Sequence, residues 1–178
     1  MKYIFSILFL FLFLFGHSQM TGMISVNEMT KIYNMNQGQF SAFLNQKGYK
    51  KTSSEIRTFG GDTSRFKVIT FNGKSGKKNI WIEIEIPLNV NDSNKKQIQI
   101  SLSTKDFEVA EEFYTVFLAK LNLANYKKTS EVKSPAVANF WETFQKNSWC
   151  FFSENRNCCG IPVVYNRVFT LTKNQNCI

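Results

Sequence analysis

Histidine is almost missing from this 178-residue chain: one occurs, His17, in the opening segment. The rest of the chain therefore offers no Ser-His-Asp triad, no Cys-His pair and no histidine-bound zinc. Most hydrolases are excluded on that ground, and the expectation is a protein that is not an enzyme. Other chemistries are missing too. No G-x-G-x-x-G or G-x-S-x-G string is present. Gly73-Lys74-Ser75 lacks the glycine that a phosphate loop needs five residues earlier, where Val68 stands. No C-x-x-C motif occurs and no cysteine precedes Cys150, so a redox dithiol of that type has no support. With only 3 prolines and no low-complexity tract, no long linker divides the chain. Neither a metal nor a cofactor is expected.

What is present begins with Met-Lys and the run YIFSILFLFLFLF over Tyr3–Phe15, followed by Gly16-His17-Ser18. A short positive start, an apolar run of signal length and small residues near its end predict a secretory signal peptide over 1–18, cut after Ser18. The run is shorter than the roughly 20 apolar residues of a spanning helix. No cysteine stands at the cut to carry a lipid. A periplasmic or extracellular protein follows, with no transmembrane segment after cleavage. Removing 1–18 takes away the only histidine and Lys2, one of the charges behind the formal +9. The lysines that remain, such as Lys31, Lys47, Lys67, Lys95, Lys120, Lys146 and Lys173, are scattered. Scattered charge suits solubility, and no nucleic-acid partner is expected.

Nine residues are nearly written twice: Asn45–Ser53 reads NQKGYKKTS and Asn122–Ser130 reads NLANYKKTS. At the same offset Phe40 meets Phe117, Ala42 meets Ala119 and Leu44 meets Leu121. Gly48 meets Asn125, the two residue types that best tolerate the left-handed conformation closing a helix. Each copy reads as helix, left-handed cap, then a strand starting at Tyr49 or Tyr126. The helical stripe Phe107, Ala110, Phe113, Tyr114, Phe117, Leu118, Leu121 predicts a helix over 105–121, opened by Ser103-x-x-Asp106. Upstream, Val26–Met35 suits a short helix, broken at Gly38 before a second over Gln39–Lys47.

After each cap the period changes to two. Ile80, Ile82, Ile84 and Ile86 alternate with Trp81, Glu83 and Glu85, and Ile98, Ile100 and Leu102 with Gln97, Gln99 and Ser101. Arg65–Phe71 is a further strand, joined to the isoleucine strand by a turn-rich loop over Asn72–Gly76. The second copy offers strands over 126–131, 138–146, 148–153 and 163–172. The predicted fold is α+β: a tandem repeat of one helical segment and about four antiparallel strands, 19–103 and 104–178. Its strands form one continuous or two adjoining sheets, with the helices on one face.

The four cysteines are Cys150, Cys158, Cys159 and Cys177. In an oxidising compartment two disulfides are expected. A turn over Ser153–Asn157 would bring Cys150 nearly opposite Cys159, favouring Cys150–Cys159 with Cys158–Cys177. Cys150–Cys158 with Cys159–Cys177 is the close alternative. Aromatics crowd the same half: Phe140, Trp141, Phe144, Trp149, Phe151, Phe152, Tyr165 and Phe169. On strands they must divide between two faces, and a contiguous exposed set would mark an interface.

The order of helix, four strands, helix, four strands resembles the tandem layout of the beta-lactamase inhibitor proteins, exported binders that grip a target with a concave sheet. That resemblance implies an architecture and a binding role, and it carries no functional residue across. The phrasing Phe40-x-x-Phe43-Leu44 … Lys47-Gly48-Tyr49 is also similar to small exported proteins of unknown function, which implies no activity. The leading expectation is an inhibitor-like binder of another protein, using Trp81, Glu83, Glu85, Gln97 and Gln99 on an open sheet face. The runner-up is an envelope-associated or homo-oligomeric structural protein using the aromatic half. Glu83 and Glu85, about 7 Å apart on one strand face, could serve as an acid–base pair or hold calcium. The alternation already accounts for them as a solvated face.

Overall fold

Ser25 and Asn36 each start a short helix by reciprocal capping. The Ser25 hydroxyl accepts from the Glu28 N–H at 3.2 Å, and the Glu28 carboxylate accepts from the Ser25 N–H at 2.8 Å. Asn36 and Gln39 make the same exchange, both bonds at 3.0 Å. The helices are α1 (Val26–Asn34) and α2 (Gln37–Gln46). The break between them therefore falls at Met35–Asn36 and not at the predicted Gly38, which lies inside the first turn of α2. A side chain that satisfies free helix amides decides the boundary more strongly than a permissive glycine.

The computed structural model describes residues 22–58, 64–76, 78–89, 95–134, 139–158 and 163–173. The predicted signal segment lies outside them. No described helix is long and apolar enough to cross a membrane. After α2 come β1 (Lys50–Thr58), β2 (Arg65–Ser75), β3 (Lys78–Pro87), β4 (Gln97–Thr104), α3 (Phe107–Leu123), β5 (Lys127–Ser134), β6 (Asn139–Lys146), β7 (Trp149–Cys158) and β8 (Val164–Lys173). The cap of α3 is Asp106, whose side chain accepts from the Val109 N–H at 3.2 Å. Ser103 belongs to β4.

The eight described strands form one antiparallel sheet in the order β1-β2-β3-β4-β8-β7-β6-β5. Of the two arrangements the sequence left open, the continuous sheet is the one observed. Its centre is the β4–β8 pairing, with Gln99 opposite Thr170 and Ile100 opposite Phe169. One face carries Phe71, Ile80, Ile82, Ile84, Ile98, Ile100, Leu102, Phe151, Phe169 and Leu171, all buried. The helices cover it with Phe40 and Leu44 of α2 and Phe113, Phe117 and Leu121 of α3. Phe117 stacks on Phe169 with ring centroids 4.1 Å apart, and Phe40 meets Phe71 edge-on at 6.2 Å. Each such side chain contributes about 1.5–3 kcal/mol on burial, so this layer is the main source of stability.

The two corners that the sequence singled out share their geometry. Gly48 has φ +85° and Asn125 has φ +61°. The Tyr49 N–H donates to the Leu44 carbonyl at 2.9 Å, and the Tyr126 N–H to that of Leu121 at 3.0 Å. The registers of β1 on β2 and β5 on β6 both slip just after the corner, at Lys51/Ser53 and Lys128/Ser130. The skipped residues, Thr52 and Thr129, each donate a hydroxyl across the ladder at 3.3 Å, to the carbonyls of Thr70 and Thr143.

Two predicted turns are strand instead. Asn72–Ser75 continue the β2–β3 ladder, with Gly73 opposite Ile80 and Ser75 opposite Lys78. Gly73 serves close approach: a Cβ there would lie 2.4 Å from Tyr49 Cδ1. The expected turn over Ser153–Asn157 is also absent, because β7 runs unbroken from Trp149 to Cys158 and pairs on both sides. Cys150 and Cys158 thus stand eight residues apart on one extended strand, about 26 Å at ~3.3 Å per residue. Disulfide bonding needs Cα atoms within about 7 Å. The pairings of Cys150 with Cys158 or its neighbour Cys159 are overturned. Cys159, Cys177 and the Cys158 side chain lie outside the described residues.

Candidate functional site

Because the three described helices all pack on one face, the register alone assigns the residues of the other. On β3 and β4 the pairs Trp81–Ser101, Glu83–Gln99 and Glu85–Gln97 stand directly opposite one another. The predicted set Trp81, Glu83, Glu85, Gln97 and Gln99 therefore occupies one contiguous patch on the face away from the helices. Trp81 is 39% exposed, while Ile80, Ile82 and Ile84, pointing the other way, are buried. The indole is not part of the core under the helices.

Neighbouring strands extend the patch. Asn72, Thr70 and Val68 of β2 flank Trp81, Glu83 and Glu85, and Ser53, Glu55 and Arg57 of β1 lie beyond them. Arg57, which sequence reasoning missed, reaches back across β2. Its guanidinium donates to Glu83 Oε1 at 2.9 Å and to Glu55 Oε1 at 2.5–2.7 Å. The two members of the carboxylate pair thus differ. Glu83 is tied to an arginine, whereas Glu85 makes no hydrogen bond or ion pair with a described residue. Burial, reinforced by the Glu83 charge, holds the Glu85 carboxyl above its ordinary pKa, with Arg57 pulling the other way.

The aromatic crowd of the second half resolves into two sets. Phe140, Phe144, Trp149, Phe151, Tyr165 and Phe169 lie on the helix side. Only Trp141 and Phe152 share the face of Trp81. Trp141 is 37% exposed, and its indole N–H donates to Glu154 Oε1 at 2.7 Å. Ser101 and Val168 lie between Trp81 and Trp141 in one cross-strand row, with Glu154 next to Trp141. The row is a mixed polar and aromatic strip, not a continuous aromatic surface.

A shallow cleft lies on the helix side, between the start of α1 and the end of α3, lined by Ser25, Val26, Asn27, Lys120, Leu123 and Ala124. None of the predicted site residues lines it. No family model matches the chain, and neither does any curated protein or solved structure.

Proposed function

We propose that this chain is an exported, non-enzymatic binding or inhibitor-like protein, and that it holds another protein on the sheet face bearing Trp81. The observation that carries the reading is a tryptophan 39% exposed on the face no described helix covers, beside Glu83, Gln97 and Gln99 on two paired strands. A rigid aromatic surrounded by amides and carboxylates is the composition of a protein-recognition anchor. The matched corners and matched ladder slips 77 residues apart support a tandem origin for the two halves. One continuous face then results from joining two units edge to edge at β4 and β8.

The test is capture of partners by the mature protein from its own extracellular and envelope fraction. Trp81→Ala should keep the melting temperature within about 2 °C, as surface changes do. It should weaken retention by about thirtyfold, the equivalent of a 2 kcal/mol anchor. A large fall in melting temperature with retention tracking only the folded fraction would show that Trp81 is packing and retire the site. Self-association as the only retained species would favour the homo-oligomeric reading instead.

A further inference from the structure

The two faces of the sheet differ in the sign of their charge. On β3, β4 and β8 every described cation turns toward the helices. The Lys78 ammonium pairs with Glu112 of α3, and the Arg167 guanidinium with Glu111. Lys173 lies over the Trp149 ring, which meets Tyr33 of α1 edge-on. The open face of the same three strands bears Glu83 and Glu85 among neutral amides and hydroxyls, such as Gln97, Gln99 and Thr170. Glu154 of β7 adds a third carboxylate beyond them. From β1, Arg57 reaches in to Glu83, which leaves Glu85 without an ion pair among the described residues. The middle of this face is therefore acidic, in a chain whose formal charge is +9.

Resting on the reading of the Trp81 face as a protein-binding surface, we infer that its partner presents an extended cationic segment, with arginine or lysine at alternate positions over Trp81, Glu83 and Glu85. Charge complementarity selects such a partner. A second copy of this chain laid face to face would set carboxylates against carboxylates, and an acidic partner would meet the same repulsion. Spacing selects the extended form. Trp81, Glu83 and Glu85 follow one another at about 7 Å along β3, and alternate side chains of an extended segment repeat at the same interval. A cation over the Trp81 indole is attracted by the ring face. One at Glu85 meets a carboxylate that burial and the Glu83 charge disfavour, and offsets that cost. The positive charge of the whole molecule sharpens the choice, because a basic chain is repelled elsewhere on its surface.

The probe is a capped octapeptide of alternating arginine and serine, titrated into the exported protein and followed by tryptophan fluorescence. The same peptide with glutamate for arginine is the control. The cationic peptide should bind saturably and the anionic one should not. Raising the salt from about 0.05 M to 0.3 M should weaken the binding at least threefold, as screening requires. Two single variants, each with a melting curve like that of the parent protein, should move the affinity in opposite directions. Glu85→Gln should weaken it at least fivefold, whereas Arg57→Gln, which releases Glu83, should tighten it about threefold. Glu108→Gln, at the exposed start of α3, should change nothing. Altered packing does not produce that pair of opposite signs. Absence of saturable binding, equal binding of both peptides or indifference to Glu85→Gln overturns the assignment, as does a preference for the neutral oligosaccharide cellohexaose. Partners captured from the envelope fraction through Trp81, yet retained equally by Glu85→Gln, would overturn it too while leaving the binding face in place.

Discussion

Two buried cations stand at matching places in the two halves of the sheet, and each is neutralised differently. Lys96 precedes Gln99 by three residues and Arg167 precedes Thr170 by three, and Gln99 and Thr170 are the pair at the centre of the sheet. Lys96 is 9% exposed and Arg167 2%. The Lys96 ammonium donates to the carbonyls of Ile32, Tyr33 and Met35 at 3.2, 2.6 and 3.0 Å, where α1 ends. It also lies over the rings of Tyr33 and Phe40. The Arg167 guanidinium instead donates twice to Glu111 of α3, at 2.6 and 3.2 Å. The first half has two short helices, whose end supplies free carbonyls to a compact ammonium. The second has one long helix, which presents no end there and supplies a carboxylate to a forked cation. The same architecture thus tolerates different neutralisation, because each of the two buried cations meets its own acceptors.

Breaking the two sites should show which is the more demanding. Lys96→Met leaves three carbonyls at a helix end without their donor, and urea unfolding should show a loss of about 2–3 kcal/mol. Arg167→Met should lose less, about 1–2 kcal/mol, because Glu111 sits at 37% side-chain exposure and regains water. A reversed order would mean that the packing of the guanidinium stem outweighs its ion pair.

The next comparison concerns the strand under each corner tyrosine. Gly73 lets the Tyr49 ring lie against β2. At the matching place on β6, Lys146 sets its ammonium 5.9 Å from the Tyr126 ring centre and donates to the Ala124 carbonyl at 2.7 Å. Gly73→Ala drives a methyl group into the Tyr49 ring and should destabilise by about 1–3 kcal/mol, as overpacking does. Lys146→Ala should fall at the low end of that range or below it, since it removes a half-exposed contact and clashes with nothing. Paired thermal melts would settle the order.

What was legible in the sequence follows the same division between local and distant causes. The isoleucine alternation placed β3 and β4 and their two faces, because period two is a property of each strand alone. The helical stripe placed α3, and the Gly48/Asn125 match placed the corners. Asn72-Gly73 misled because its turn chemistry is local, whereas the requirement for Gly73 comes from Tyr49 on another element. Ser153–Asn157 misled for a related reason. A polar, turn-like string stays extended when β6 and β8 bind it from both sides. At the candidate site Trp81, Glu83, Glu85, Gln97 and Gln99 were legible as a wet face. Arg57 was not, because its approach to Glu83 depends on the register of two intervening ladders.

The corners themselves give a smaller and sharper test. Gly48→Val should cost about 1 kcal/mol or more, since a β-branched residue resists φ +85°. Gly48→Asn should be nearly silent, because Asn125 already holds that conformation in the other half. Equal losses from both substitutions in denaturant melts would remove the common basis of the two corners.

The smallest effect separates two glutamates at matching places on the open face, Glu85 of β3 and Glu154 of β7. Glu154 accepts the Trp141 indole N–H at 2.7 Å, whereas Glu85 has burial and the Glu83 charge against it. With the folded pKa of Glu85 raised, the native state binds more protons than the unfolded chain between the unfolded and folded values. Stability from this group therefore falls as pH rises through that window, and the penalty is fully present above it. Glu85→Gln removes the penalty, so it should stabilise the protein at pH 7 by up to about 0.5 kcal/mol, a small gain because the site is only half-buried. Below the ordinary glutamate pKa of about 4.3 both proteins carry a neutral group, and the gain should disappear. Glu154→Gln replaces a charged acceptor of the indole by a weaker neutral one, so its sign should be opposite, a slight loss at pH 7. Melting temperatures of both variants at pH 7 and pH 3.5 would test this. A Glu85→Gln gain that persisted in acid would mean that ionisation is not its cause.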